Sequence, residues 1–368
     1  MMIGKFLKFV EGRKQMRAVK ILTDKAVTGM VTANDIYNRQ NQLIITEGTV
    51  LNNKVIEKLR FYKIFSLNVY PEKKKEEESY IDELRKTPEF KKFNRTYVAK
   101  VTKVVGDFGR IISGDQEIDV EQLLEETDKI LREGRNGTHV MEMLHGIRDY
   151  DNLTYVHSMN VSLICNIFGG WLKLPKAEIR NLTLAGLLHD IGKLLIPKEI
   201  LAKPDKLSNR EYEIMKSHSM KGYEVLKDLP IDINIKYAAL MHHERQDGSG
   251  YPNRFAKHQI NKFAKIVSIV DVYDAMTSNR SYRKGFCPFT VVEDFEREGF
   301  IKFDSQYLVM FLERIVESYR HNIVRLSDGR EGEVVLINKF ALSKPMVRVG
   351  EDFIDLTKEH NLRIQSIL

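Results

Sequence analysis

At 368 residues the chain exceeds one ordinary domain, and about 100–200 residues per domain predicts two or three. Hydrophobic residues at 43% and charged residues at 30% exclude a disordered chain and allow a sizeable core. A net charge of +7 suits an anionic partner, but spread over so long a chain it does not choose between nucleic acid, small phosphates and a membrane surface.

Met1 to Gln15 alternates apolar and basic residues without a continuous apolar h-region or a small-residue cleavage site, which argues against a signal peptide. Phe6, Leu7, Phe9 and Val10, set among lysines, are spaced for a short amphipathic helix, read as docked on the protein rather than on a membrane. No window approaches about 18–20 uncharged apolar residues, so no membrane span is expected. Cys165 and Cys287 form neither a CxxC nor a CxxxC pair; reduced thiols and a cytoplasmic location are the expectation.

Residues 18–71 read as a small α/β unit: a strand at Leu43-Ile44-Ile45, a turn at Glu47-Gly48, a helix from Asn52 to Tyr62 and a strand over Ser66 to Tyr70. The charge-dense run Pro71 to Glu78 has no apolar anchor and marks a linker. From about 96 to 325 helical periodicity dominates, as in Val120 to Leu131, Val156 to Leu172, Ile179 to Leu188, Tyr237 to His243 and Phe263 to Met276. That predicts a helix bundle. Beyond it, Ile323 to Leu326, the turn Ser327-Asp328-Gly329-Arg330 and Val334 to Ile337 predict a β-hairpin. Met346 to Val349 and Phe353 to Leu356 predict a second. The expected division is therefore 1–95 for the α/β domain with its linker, 96–325 for the helical domain and 326–368 for a short C-terminal β extension.

The chemistry lies in the helical region. Five of the ten histidines stand in apolar helical settings: His157, His189, His218, His242 and His243. Asp190 and Asp271 accompany them. A lone His-Asp pair such as His189-Asp190 ends many helices on a protein surface. Here, however, polar groups interrupt five separate apolar segments, and Asp271 breaks the run Ile266 to Val270, where an unpaired carboxylate is costly. A shared metal site accounts for them together. Five imidazoles and two carboxylates exceed one cation and suit a dinuclear site with a bridging aspartate. The donor set favours iron, manganese or zinc over magnesium or calcium. Two such cations about 3.5–4 Å apart can clamp a phosphodiester and activate a bridging hydroxide. Lys193, four residues after His189, would share its face on a continued helix and suit a phosphate contact.

These residues closely resemble the HD-GYP family of metal-dependent phosphohydrolases. Leu188-His189-Asp190-Ile191-Gly192-Lys193-Leu194-Leu195-Ile196-Pro197 is similar to the HD signature. His242-His243-Glu244-Arg245-Gln246-Asp247-Gly248-Ser249-Gly250-Tyr251-Pro252 resembles the complete GYP signature. Met215-Lys216-Ser217-His218-Ser219-Met220-Lys221-Gly222 and the stretch Asp271 to Arg283 resemble the central and last elements, so the likeness runs in register from about 150 to 310. The resemblance implies a mainly α-helical HD bundle with an iron or manganese centre, and hydrolysis of cyclic di-GMP to pGpG and on to GMP.

Carried over, it implies one metal on His157, His189, Asp190 and Asp271, and another on His218, His242 and His243, with Asp190 bridging. Asp190 and Lys193 would serve catalysis. Lys193, Arg280 and Arg283 would meet substrate phosphates, and Asp247, Gly250 and Tyr251 would line the cleft. Members with a third metal carry a glutamate four residues before the first histidine; here that residue is Leu153, so two metals are expected and pGpG is the product most readily reached. The stretch Ile45 to Leu51 resembles small domains that precede this core and offers a regulatory, partner or homodimer contact. Three other readings are a phosphohydrolase for another cyclic dinucleotide or nucleotide, a cyclic di-GMP receptor with little turnover, and a nucleic-acid-binding protein, the last resting on charge alone.

Overall fold

Phe90, Phe93, Tyr97, Val101, Val104, Phe108 and Ile111 recur every three or four residues and are all buried, which is what a helix with one core-facing stripe requires. They lie on α3 (Pro88–Ile112), whose start is capped by the Thr87 hydroxyl accepting from the Phe90 amide. The computed structural model describes residues 18–38, 42–70, 80–114, 119–147, 153–203, 205–278, 285–359 and 361–368. Phe6, Leu7, Phe9 and Val10, and the charged linker over 71–78, lie outside the described residues.

The chain divides into two compact units, 1–77 and 78–368. In the first, β1 (Val19–Leu22), β2 (Val31–Thr32) and β5 (Ser66–Tyr70) form an antiparallel sheet in the order β1-β5-β2, and β3 (Ile36–Tyr37) pairs with β4 (Leu43–Ile45). Helix α1 (Asn53–Phe61) buries Ile56 and Leu59 with Leu51, Leu67 and Val69. Gly48 takes φ +79°, which supports the turn expected there.

The second unit begins with α2 (Tyr80–Lys86) and α3, followed by α4 (Val120–Leu131), α5 (Gly137–Gly146), α6 (Leu153–Trp171) and α7 (Lys176–Leu188). Then come α8 (Lys198–Leu201), α9 (Asn209–Lys216), α10 (His218–Leu226), α11 (Ile233–Met241), α12 (Lys262–Thr277), α13 (Pro288–Asp294), α14 (Phe300–Lys302) and α15 (Ser305–Ser318). A boundary near 95 would cut α3. Leu84, Phe90 and Phe93 instead pack into the helical core, so α2 and α3 belong to the second unit.

The C-terminal strands are likewise part of this unit. β6 (Ile323–Leu326), β7 (Glu331–Leu336), β8 (Met346–Val349), β9 (Asp352–Asp355) and β10 (Ile364–Ile367) form one antiparallel sheet in the order β10-β6-β7-β8-β9. Val324, Leu326, Val334 and Val347 enter the same apolar core as the helices. β7 pairs with β8 and so joins the two expected hairpins, and the strand at 364–367 adds a fifth strand at the edge by pairing with β6. Among the described residues, no helix is long and apolar enough to cross a membrane.

Three helices matter most for the site. α6, α7 and α12 are buried on nearly every side: Leu182 to Leu188 is continuously buried, as is Ile266 to Asp271. A helix apolar all round belongs at the centre of a fold, and polar side chains on these helices are placed there against a solvation cost.

Candidate metal centre

His157 lies one turn into α6, and Asp271 lies on α12. His189 and Asp190 follow α7 directly, where the chain tightens into a 3-10 turn over Ile191–Leu195. His218 opens α10, and His242 and His243 follow α11. His189, Asp190, His218, His242 and Asp271 are buried; His157 and His243 are partly buried.

A close backbone approach brings these elements together. A Cβ on Gly192 would overlap the His218 carbonyl oxygen and stand 2.5 Å from the Gly222 nitrogen. Glycine alone lets the 3-10 turn lie against α10, and Gly222 leaves the matching space, 3.4 Å from its notional Cβ to the Gly192 nitrogen. The result is His218 Nε2 at 3.3 Å from Asp190 Oδ1.

Main-chain carbonyls orient three of the imidazoles. Nδ1 of His189 lies 2.8 Å from Gly186 O, Nδ1 of His218 lies 2.8 Å from Met215 O, and Nδ1 of His242 lies 3.0 Å from the carbonyls of Ala238 and Ala239. A carbonyl oxygen only accepts, so each Nδ1 carries the proton and each Nε2 presents a lone pair inward. Burial disfavours the charged form of two of these rings, pushing His218 down to about 4 and lowering His242. His218 Nε2 and His242 Nε2 stand 3.3 Å apart, so two lone pairs face each other.

The Asp190 carboxylate lies among these atoms. Its Oδ1 faces His218 Nε2 at 3.3 Å and His242 Nε2 at 3.6 Å; its Oδ2 faces His189 Nε2 at 3.3 Å and His157 Nε2 at 3.6 Å. Burial opposes its charge, but His189 and Lys193 hold the carboxyl well below its usual range. Asp190 Oδ1 and His189 Nε2 are nevertheless buried without a hydrogen-bond partner. An orphaned carboxylate oxygen among imidazole lone pairs is uncompensated in a protein interior and fits the donor set of a divalent cation. Among the described residues two groups have this capacity, Asp190 with His218, His242 and His243, and His157 with His189 and Asp271, the ligand atoms within each lying within 4.8 Å of one another.

His157 is held by carboxylates instead. Its Nε2 lies 3.0 Å from Asp271 Oδ1 and its Nδ1 lies 2.7 Å from Asp274 Oδ2. Burial disfavours the imidazolium, but these two contacts outweigh it and raise the pKa to about 9. Asp274 also accepts from Asn160 Nδ2 at 2.9 Å, and Asn160 Oδ1 accepts from the Tyr97 hydroxyl at 2.7 Å. Asp274, Asn160 and Tyr97 were not singled out in the sequence. The available signal was spacing, since Asn160 follows His157 by three and Asp274 follows Asp271 by three, each in an apolar helix.

Lys193 reaches the site by a different route from the one expected. The helix does not continue past His189. Lys193 Nζ instead pairs with Asp190 Oδ2 across the 3-10 turn, with a quarter of its side chain exposed.

The loop after His243 is latched by a residue that the sequence reading gave no role. Glu244 is buried, and its two oxygens accept from the Asn253 amide at 2.7 Å and the Phe255 amide at 3.0 Å. A Cβ on Gly250 would overlap His243 O and lie 2.5 Å from Glu244 Cα, so the loop folds back on its own start. That return brings the Tyr251 ring against His243, with centroids 4.6 Å apart. Asp247 is turned to its own loop, accepting from Ser249 N at 2.9 Å and Ser249 Oγ at 2.6 Å. Arg280 and Arg283 lie outside the described residues.

The HD domain family matches residues 140–305. A protein of Pseudomonas aeruginosa named cyclic di-GMP phosphodiesterase is 34% identical over 64% of this chain and 56% of its own length. One of Thermotoga maritima with the same name is 31% identical over 53% of this chain and 57% of its own. The chain thus spans a little over half the length of these curated relatives. An HDG"Y"P protein from Bdellovibrio bacteriovorus shares the fold, with TM-score 0.50 over 81% of this chain and 99% of that one at 16% identity. These matches identify an HD domain over residues 140–305, and with the ordered HD and GYP elements they make the chain similar to cyclic di-GMP phosphodiesterases that carry this domain.

Proposed function

We propose that this chain is a metal-dependent phosphodiesterase that opens a cyclic dinucleotide, cyclic di-GMP, to pGpG, and that it carries two divalent cations, iron or manganese. The observation that carries the reading is the set of inward-facing Nε2 atoms around an Asp190 carboxylate whose Oδ1 lacks a hydrogen-bond partner. In this reading His157, His189, Asp190 and Asp271 hold one cation, and His218, His242 and His243 the other, with Asp190 shared. The substrate class is supported by the names of the relatives from Pseudomonas aeruginosa and Thermotoga maritima.

Divalent cations held there supply Lewis-acid polarisation of the phosphoryl oxygens. The protein's own groups do the rest. Asp274 and Asn160 keep the His157 ring oriented from behind. Lys193, beside Asp190 and partly exposed, offers an ammonium to a bound phosphate. Glu244 keeps the Asp247 to Pro252 loop closed so that Tyr251 stays at the cleft wall. Arg280 and Arg283 add guanidinium contacts to phosphate. The 1–77 unit serves as the regulatory or partner-binding module.

The test is to measure metal content and turnover on the same purified protein. Cyclic di-GMP and mixed cyclic GMP-AMP are supplied in parallel, and products are separated by chromatography. Metal-dependent formation of pGpG supports the proposal. Binding of cyclic di-GMP without hydrolysis makes the chain a receptor, and neither binding nor hydrolysis by the metal-loaded protein refutes the reading.

A further inference from the structure

Outward from the metal ligands, three side chains lead to solvent. The Tyr251 ring stacks on His243, 28° from parallel. The Lys216 ammonium stands 5.7 Å from the Tyr251 centroid and 5.2 Å from that of Tyr212. Tyr212 and Lys216 are four residues apart on α9 and so share a face. Tyr212 is 49% exposed and belongs to none of the apolar core clusters. Lys216 Nζ also lies 2.7 Å from Glu213 Oε1, but that carboxylate is largely exposed and the pair is screened.

The segment is held in place. Ser208 and Glu211 form a reciprocal capping box at the start of α9. Lys203 grips both oxygens of Glu211, at 2.9 and 2.8 Å. An exposed aromatic ring on a fixed helix is thus presented beside a cation at the mouth of the metal centre.

We propose that Tyr212 is a base-stacking platform and Lys216 a phosphate contact, forming together a purine-recognition subsite of the centre. The inference rests on the phosphodiesterase reading above. A cyclic dinucleotide presents two anionic phosphates flanked by two flat bases. With one phosphate at the metal ligands, the rest of the ring extends along the outward path, where Lys216 meets the second phosphate and Tyr212 one base. Stacking on a tyrosine face needs no base-specific hydrogen bond, and the ammonium is steadied by the two ring quadrupoles until phosphate displaces it.

The experiment compares the metal-loaded full chain with Tyr212→Ala, Tyr212→Phe and Lys216→Ala. The substrates are cyclic di-GMP and methyl p-nitrophenyl phosphate, a diester with no purine and no second phosphate. The readout is KM and kcat, with calorimetric Kd where turnover is too slow to follow. Tyr212→Ala is expected to raise KM for cyclic di-GMP about tenfold, about 1.4 kcal/mol, with kcat little changed. Tyr212→Phe should stay within about twofold of the parent, because the ring is kept. Lys216→Ala should weaken cyclic di-GMP about tenfold. None of the three should alter the simple diester. Unchanged cyclic di-GMP kinetics in Tyr212→Ala, or an equal loss on both substrates, overturns the subsite while leaving the phosphodiesterase reading standing. A parent protein that neither binds nor hydrolyses cyclic di-GMP removes both.

Discussion

Asp274 Oδ2 stands 2.7 Å from Nδ1 of His157, on the side of the ring away from Asp271, whose Oδ1 lies 3.0 Å from Nε2. One carboxylate orients the imidazole and the other shares its inward face. Removing an orienting carboxylate behind a metal-binding histidine costs about 10–100-fold in metal affinity or activity. Asp274→Ala is accordingly expected to lose at least about tenfold in metal affinity, read by equilibrium dialysis against a chelator series. Full metal affinity in the variant would show that Asn160 and helix packing suffice to hold the ring.

Asp190 faces both groups of ligands, with Oδ1 toward His218 and His242 and Oδ2 toward His157 and His189. Asp190→Ala should therefore lose both metals and all turnover, while far-UV circular dichroism keeps its helical signature. Elemental analysis that finds a full two-metal complement in this variant defeats the bridging role.

Lys193 pairs with Asp190 and is partly open to solvent, so its ammonium can answer to phosphate, to Asp190 or to both. Lys193→Ala is expected to keep its metal and to lower kcat/KM more than about tenfold, about 1.4 kcal/mol. Loss of metal instead would mean that Lys193 acts through Asp190, and unchanged kinetics would show that it has no part in handling phosphate.

The order of the motifs could be read from the chain because each ligand interrupts an apolar run, and burying polar groups so often without compensation is costly. The close approach of Gly192 to His218 and Gly222 was not visible, since it joins a turn to a helix that only the fold brings together. Lys193 was expected on a continued helix; the chain tightens at Ile191 instead, and the side chain turns to Asp190. Glu244 looks like one more surface glutamate by composition, yet it is buried under two backbone amides of its own loop. The strand Ile364–Ile367 pairs with β6, about forty residues earlier, and local alternation says nothing of such pairing.

The last prediction concerns metal number and product. Helix α6 begins at Leu153, one turn before His157, where family members with a third metal carry a glutamate. A leucine has no donor atom, so the metal-loaded protein is expected to hold two metals per chain. With one fewer positive centre, the terminal phosphate of linear pGpG should be gripped less strongly than the cyclic diester, and the second hydrolysis should lag behind the first. Leu153→Glu returns a carboxylate to the turn preceding His157 and is expected to raise metal content to three and shorten the lag. Asp149 and Asp151, both outside the described residues, are the nearby carboxylates that would fill the place if the argument fails. Chromatography of a time course, with elemental analysis of the same sample, decides the matter: rapid conversion of pGpG to GMP by the unaltered protein, with three metals bound, would refute it.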